Sequence, residues 1–129
     1  MAIWLACAEG FIVADVIRWR EGIWERRGPR GSARSMKIGD REVIAEVIDG
    51  PDDDGFVTLL VRDCVVLTPH LKAGAIGRED QIRRKAATIM RGAPARLPWQ
   101  DETARGVVRG SRFLLDDTTA SALDAMPQH

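Results

Sequence analysis

Apolar residues dominate the early part of the chain in short runs with strand periodicity. Residues 11–19 (FIVADVIRW) are rich in β-branched and aromatic side chains, and both faces are mostly apolar, as in a central or closed-barrel strand. Arg20-Glu21-Gly22 reads as a turn, with Ile23-Trp24 opening a return strand. Residues 41–48 (REVIAEVI) place Val43, Ala45 and Val47 on one face, with Glu42 and Glu46 on the other. Residues 56–67 (FVTLLVRDCVVL) predict a further strand. Between these two strands stands Asp49-Gly50-Pro51-Asp52-Asp53-Asp54-Gly55, whose Asp, Pro and Gly supply the backbone angles of a hairpin reversal. A calcium loop with Gly55 at its sixth position would place Gly50 and Val61 where the first and last carboxylates belong, so the hairpin is the better account.

The period changes after residue 77. Residues 28–37 (GPRGSARSMK) and 68–77 (TPHLKAGAIG) have loop composition. Residues 78–91 then align Ile82, Ala86, Ile89 and Met90 along one stripe at helical spacing, stopped by Gly92 and Pro94. A weaker helix is predicted over 101–109, capped by Asp101 and weakened by Gly106 and Gly110. Residues 112–115 (RFLL) form an apolar docking segment, and a last short helix runs from Asp117 or Thr118 through Met126.

Strands followed by helices predict an α+β domain. Its N-terminal half is a small curved antiparallel β-sheet or an SH3-like or OB-like barrel, followed by two to three short helices. The 129 residues fit one domain, mainly β over residues 1–69 and mainly helical over 70–129. At this length neither a disulfide framework nor a metal is needed for folding. Cys7 and Cys64 are too few for a secreted scaffold and read as small buried hydrophobes. Residues 2–8 are apolar but lack a basic leader, and no window reaches the ~18 residues of a membrane span. A cytoplasmic protein away from the membrane is expected.

Candidate chemistry is sparse. The chain holds two histidines, His70 in a loop and His129 at the end, and neither stands at a spacing that builds a nucleophile–base–orienter set. Cys7, Cys64 and His70 are too scattered for zinc. Glycine-rich phosphate loops are absent. No cofactor, no metal and no enzymatic activity are therefore expected.

Charge layout is more informative. Basic and acidic residues number 19 each, yet they are segregated. Residues 18–37 carry seven basic residues against two acidic ones, and residues 78–112 carry nine against four. Residues 39–63 carry two against eight. Of the basic residues 16 are Arg, the side chain suited to bidentate phosphate contacts. The first functional expectation is nucleic-acid binding through a shared face made by Arg26, Arg27, Arg30, Arg34 and Lys37 with Arg83, Arg84 and Lys85. Trp19 or Trp24 would stack bases if exposed. The alternative is a protein-binding module, inhibitor or adaptor acting by charge complementarity, with homodimer formation through a strand edge as one form of it.

Overall fold

A computed structural model describes residues 3–27, 34–71 and 73–117. The chain divides into two compact units, Met1–Leu97 and Pro98–His129. The first contains six antiparallel strands: β1 (Leu5–Ala6), β2 (Val16–Arg27), β3 (Arg34–Asp49), β4 (Phe56–Val66), β5 (Gln81–Lys85) and β6 (Ala95–Arg96). A one-and-a-half-turn helix, α1 (Ala86–Arg91), joins β5 towards β6. The strand order is β1-β6-β2-β3-β4-β5, so the sheet is open, with β1 and β5 as its edges. The second unit contains α2 (Glu102–Asp117). Sheet-first α+β architecture is therefore present, and among the described residues the strand ladder does not close. Among the described residues no helix is long and apolar enough to cross a membrane.

The core lies on one side of the sheet. Ile17 and Trp19 from β2, Val43, Ala45 and Val47 from β3, and Val57, Leu59 and Val61 from β4 are all buried. Each is separated by two from the next, the strand period. Each aliphatic one stabilises the fold by about 1.5–3 kcal/mol relative to exposure, less for Ala. Ile89 of α1 and Cys7 complete the cluster. Glu46 points the other way and pairs with Arg62.

The hairpin over residues 49–55 is present as expected. Asp52 Oδ1 accepts from the backbone N–H of Asp54 and of Phe56, each at 2.9 Å, and Gly50 and Gly55 take positive φ. Asp52 is held below the usual carboxylate range by the Phe56 backbone N–H and then by Arg83.

Four expectations need correction. Residues 11–15 are a turn rather than strand, because the buried Asp15 accepts the Ile12 N–H at 2.9 Å, so β2 starts at Val16. Arg20-Glu21-Gly22 does not reverse the chain: β2 runs through it to Arg27, paired with β3. Arg34 to Lys37 belong to β3 rather than to a loop. Residues 78–91 are not one helix. Gln81–Lys85 pair with β4, and only Ala86–Arg91 are helical, so the second half contributes strands as well. The helix foreseen over 101–109 exists and is longer: Asp101 Oδ1 accepts the Thr103 and Ala104 N–H groups at 3.0 and 3.1 Å. It extends through residues 112–115. The helix expected after residue 117 lies outside the described residues.

Candidate nucleic-acid interface

β3 pairs with β4 only as far as Arg41↔Val66, with one further bond from the Leu67 N–H to the Asp40 carbonyl. On the other edge of β2, β6 stops at Arg18↔Ala95, and Gly92 accepts the Arg20 N–H at 3.0 Å. Beyond these points Gly22–Arg27 and Arg34–Asp40 continue as a two-stranded ribbon, paired to each other alone. The register skips Ile38, with Ile23 opposite Gly39 and Trp24 opposite Lys37. Such a bulge bends the ribbon and re-aims its side chains.

Alternation decides what the ribbon displays. Ile17, Trp19 and Ile23 are buried on the core side, so Arg18, Arg20, Gly22, Trp24 and Arg26 stand on the outer side, with Lys37 across from Trp24. Trp19 is 1% exposed and Trp24 is 62% exposed. The Trp24 indole lies back over Gly22. A Cβ placed at residue 22 would stand 2.9 Å from the indole Nε1 and 3.2 Å from Lys37 Cε. Gly22 thus leaves room for the Nε1 edge of the indole within a continuous strand, and it is not a turn. A shallow cleft of about 430 Å³ opens beside it, lined by Arg20, Lys37, Asp40, Thr88 and Arg91 among others. Trp24 also borders a second cleft, of about 530 Å³, with Ile23, Ile38, Arg41 and Gly74.

The cations around Trp24 are loosely held. Among the described residues Arg91 has only a 3.3 Å bond to Thr88 Oγ1. Arg20 lies 3.9 Å from Glu42. Lys37 pairs with Asp40 at 2.9 Å with both side chains half exposed, an arrangement worth little in water. Among the described residues Arg26 and Arg34 meet no carboxylate. Arg34, in register with Arg27, lies on the opposite side of the ribbon, the side of Met36.

The remaining candidates divide. Arg27 pairs with Arg34 at the ribbon end, and Arg30 lies outside the described residues. Arg83, Arg84 and Lys85 do not join the Trp24 face. Arg83 pairs with Asp52 at 2.9 Å and its guanidinium stands 4.0 Å from the centre of the Phe56 ring, with Lys85 at 5.4 Å. Arg84 turns to the core side and binds Glu21 through Nε at 2.9 Å and Nη2 at 3.0 Å. Arg41 donates to the same carboxylate at 2.8 and 2.7 Å, and Trp19 Nε1 donates at 2.9 Å. Burial alone would push the Glu21 carboxyl up, but the bonds from Arg84, Trp19 and Arg41 outweigh it and hold it below its ordinary value. Since β5 and β2 are three places apart in the sheet, this contact also requires the sheet to curl strongly.

Arg20 and Arg91 are the interface residues that the sequence reading did not single out. Arg20 carried a signal: it alternates with Arg18, Trp24 and Arg26 once the strand is continued through Gly22. Arg91 carried none, since its approach depends on where α1 docks. No protein-family model, curated protein or solved structure matches this chain.

Proposed function

We propose that the protein binds nucleic acid without catalysing a reaction on it, through the outer side of the β2–β3 ribbon. The observation that carries this reading is Trp24, 62% exposed in a cleft shared with Arg20, Lys37 and Arg91, with Arg26 next on the same side. Guanidinium groups without tight carboxylate partners are free to take phosphate oxygens. An exposed indole among cations supplies a stacking surface. The same reading takes the curled meander β2–β5, the short α1 and the return of β6 to β2 as a small barrel of SH3-like type. It also takes the free thiols Cys7 and Cys64 as belonging to a reducing, cytoplasmic compartment.

Fluorescence anisotropy with labelled 20-nucleotide strands and duplexes tests the reading. Three or four phosphate contacts give a salt slope such that raising salt from 50 to 200 mM weakens binding roughly 20–50-fold for a single strand and roughly 40–150-fold for a duplex. The double variant R26E/R91E flattens that slope and weakens binding at least ten-fold at 50 mM salt, two reversed charges facing phosphate. Failure of any strand or duplex to bind at 50 mM salt, or binding indifferent to salt and to both charges, refutes the proposal.

A further inference from the structure

We infer that the ligand of this face is a single strand, and that one unpaired base stacks on Trp24, with Gly22 as the residue that positions the ring. The inference rests on the nucleic-acid reading and names the form of nucleic acid it takes.

Two tryptophans five residues apart on β2 have opposite fates, since an odd spacing puts them on opposite faces. Trp19 is in the core; Trp24, on the outer side, keeps 62% of its surface in water. Leaving an indole exposed forgoes the apolar burial that Trp19 obtains. The ring is nonetheless braced. Its Nε1 lies over residue 22 within 2.9 Å of where a Cβ would be, and the Lys37 stem approaches the same point at 3.2 Å. An added methyl at residue 22 would push the indole or the Lys37 stem aside. A braced aromatic ring loses little freedom when a second ring is laid on it.

The surroundings match a nucleotide rather than an apolar side chain. The cleft beside the ring has Arg20, Lys37 and Arg91 for phosphate, and Asp40 and Thr88 to meet the polar edge of a base. Its volume, about 430 Å³, lies in the range of small-ligand sites.

Duplex DNA does not satisfy this geometry. Its bases are stacked on each other and present only edges in the grooves. A ribbon laid in the major groove would bring Arg26 and Lys37 to phosphates but leave the Trp24 ring face without a partner. Seating that face on a paired base requires unstacking. An unpaired base offers its face at no such cost.

The test compares a labelled 15-nucleotide strand, as DNA and as RNA, with the duplex of the same sequence, using the full chain at 50 mM salt. Expected is a single strand, of either sugar, bound at least ten-fold tighter than the duplex. On the strand, W24A loses about ten-fold or more, within the ~5–150-fold that stacking energies imply. W24F recovers most of that loss, and G22A, which displaces the ring while leaving it present, loses several-fold. Tryptophan emission is quenched by the strand in the parent protein and much less in W24F. Thermal melts by circular dichroism confirm that the variants fold. Duplex bound as tightly as the strand, or W24A bound unchanged with the salt dependence intact, overturns this inference and leaves the broader nucleic-acid reading standing. No binding of any form at 50 mM salt removes both.

Discussion

The Glu21 carboxylate, 6% exposed, meets two guanidinium groups and an indole N–H on the core side of β2. It ties β5 back to β2 across the curled sheet, because Arg84 reaches it from 63 residues away. Replacing it with Gln keeps the shape but leaves Arg41, only 16% exposed, and Arg84 without a counter-charge. Breaking a buried pair from one side costs about 3–5 kcal/mol, a large part of the ~5–15 kcal/mol that holds a domain together. Glu21→Gln is expected to lower stability by about that amount in urea unfolding at pH 7. The pH dependence follows from the direction of the shift. A carboxyl held below its ordinary value of about 4.5 contributes stability that is full above that value and is lost as pH falls through the folded-state value. The gap between the parent protein and Glu21→Gln therefore narrows on acidification below about pH 4.5. A gap that stays constant down to pH 3 would show that the carboxylate charge is not what Arg41 and Arg84 require. This trio also explains why Arg84 was illegible in the sequence. An arginine on a core face looks like a solvated helix back until its distant partner is known.

At the scale of elements, the junction at Lys85-Ala86 shows where periodicity misleads. Ile82, Ala86 and Ile89 all pack against the core, and their spacing suits one helix. The chain instead passes from β5 into α1 with no intervening turn, Lys85 still extended at ψ 136. β3 and β4 were legible because their buried residues alternate without interruption. β2 was cut short because Gly22 resembles a turn, whereas it lies within the strand, paired with Asp40 beneath the indole Nε1 of Trp24. Gly92 has a related role at the other end of α1. A Cβ there would come within 2.1 Å of the Arg20 carbonyl oxygen, where β2 accepts the α1–β6 connection. Gly92→Ala forces α1 or β2 to move and is expected to destabilise the protein by about 2–4 kcal/mol, in the range of severe steric substitutions. Gly106 stands in the opposite situation, inside α2 with nothing within 4 Å of an added Cβ. Gly106→Ala is expected to favour α2 by up to ~1 kcal/mol, seen as increased far-ultraviolet helical ellipticity. Equal melting temperatures for Gly92→Ala and the parent protein would contradict the close docking of α1 on β2.

At the scale of the whole molecule, charge segregation along the sequence becomes separation along one strand. β3 begins at Arg34 beside the ribbon end and finishes at Asp49 beside the acidic hairpin. At about 3.3 Å per residue, its 16 residues span roughly 50 Å of chain. The sequence revealed that basic and acidic blocks alternate; it did not reveal that β3 would hold them at opposite ends, nor that Arg83 and Lys85 would settle by the acidic hairpin instead of the basic ribbon. This layout separates the two partner classes by experiment. Asp53 and Asp54 are exposed at the hairpin tip and line neither cleft that Trp24 borders, and screening at physiological salt acts over about 8 Å. If the ribbon holds nucleic acid, D53N/D54N leaves affinity at 150 mM salt unchanged while R26E weakens it. At about 10 mM salt, where the screening length approaches 30 Å, the same pair of substitutions raises the association rate by a modest factor of about two, because it removes repulsion from the approaching polyanion. Stopped-flow association at the two salt concentrations measures both effects. If instead a basic protein partner docks on the hairpin, D53N/D54N weakens a co-purifying complex at 150 mM salt and R26E does not, and the complex survives nuclease. The two outcomes exchange the roles of the two ends of β3.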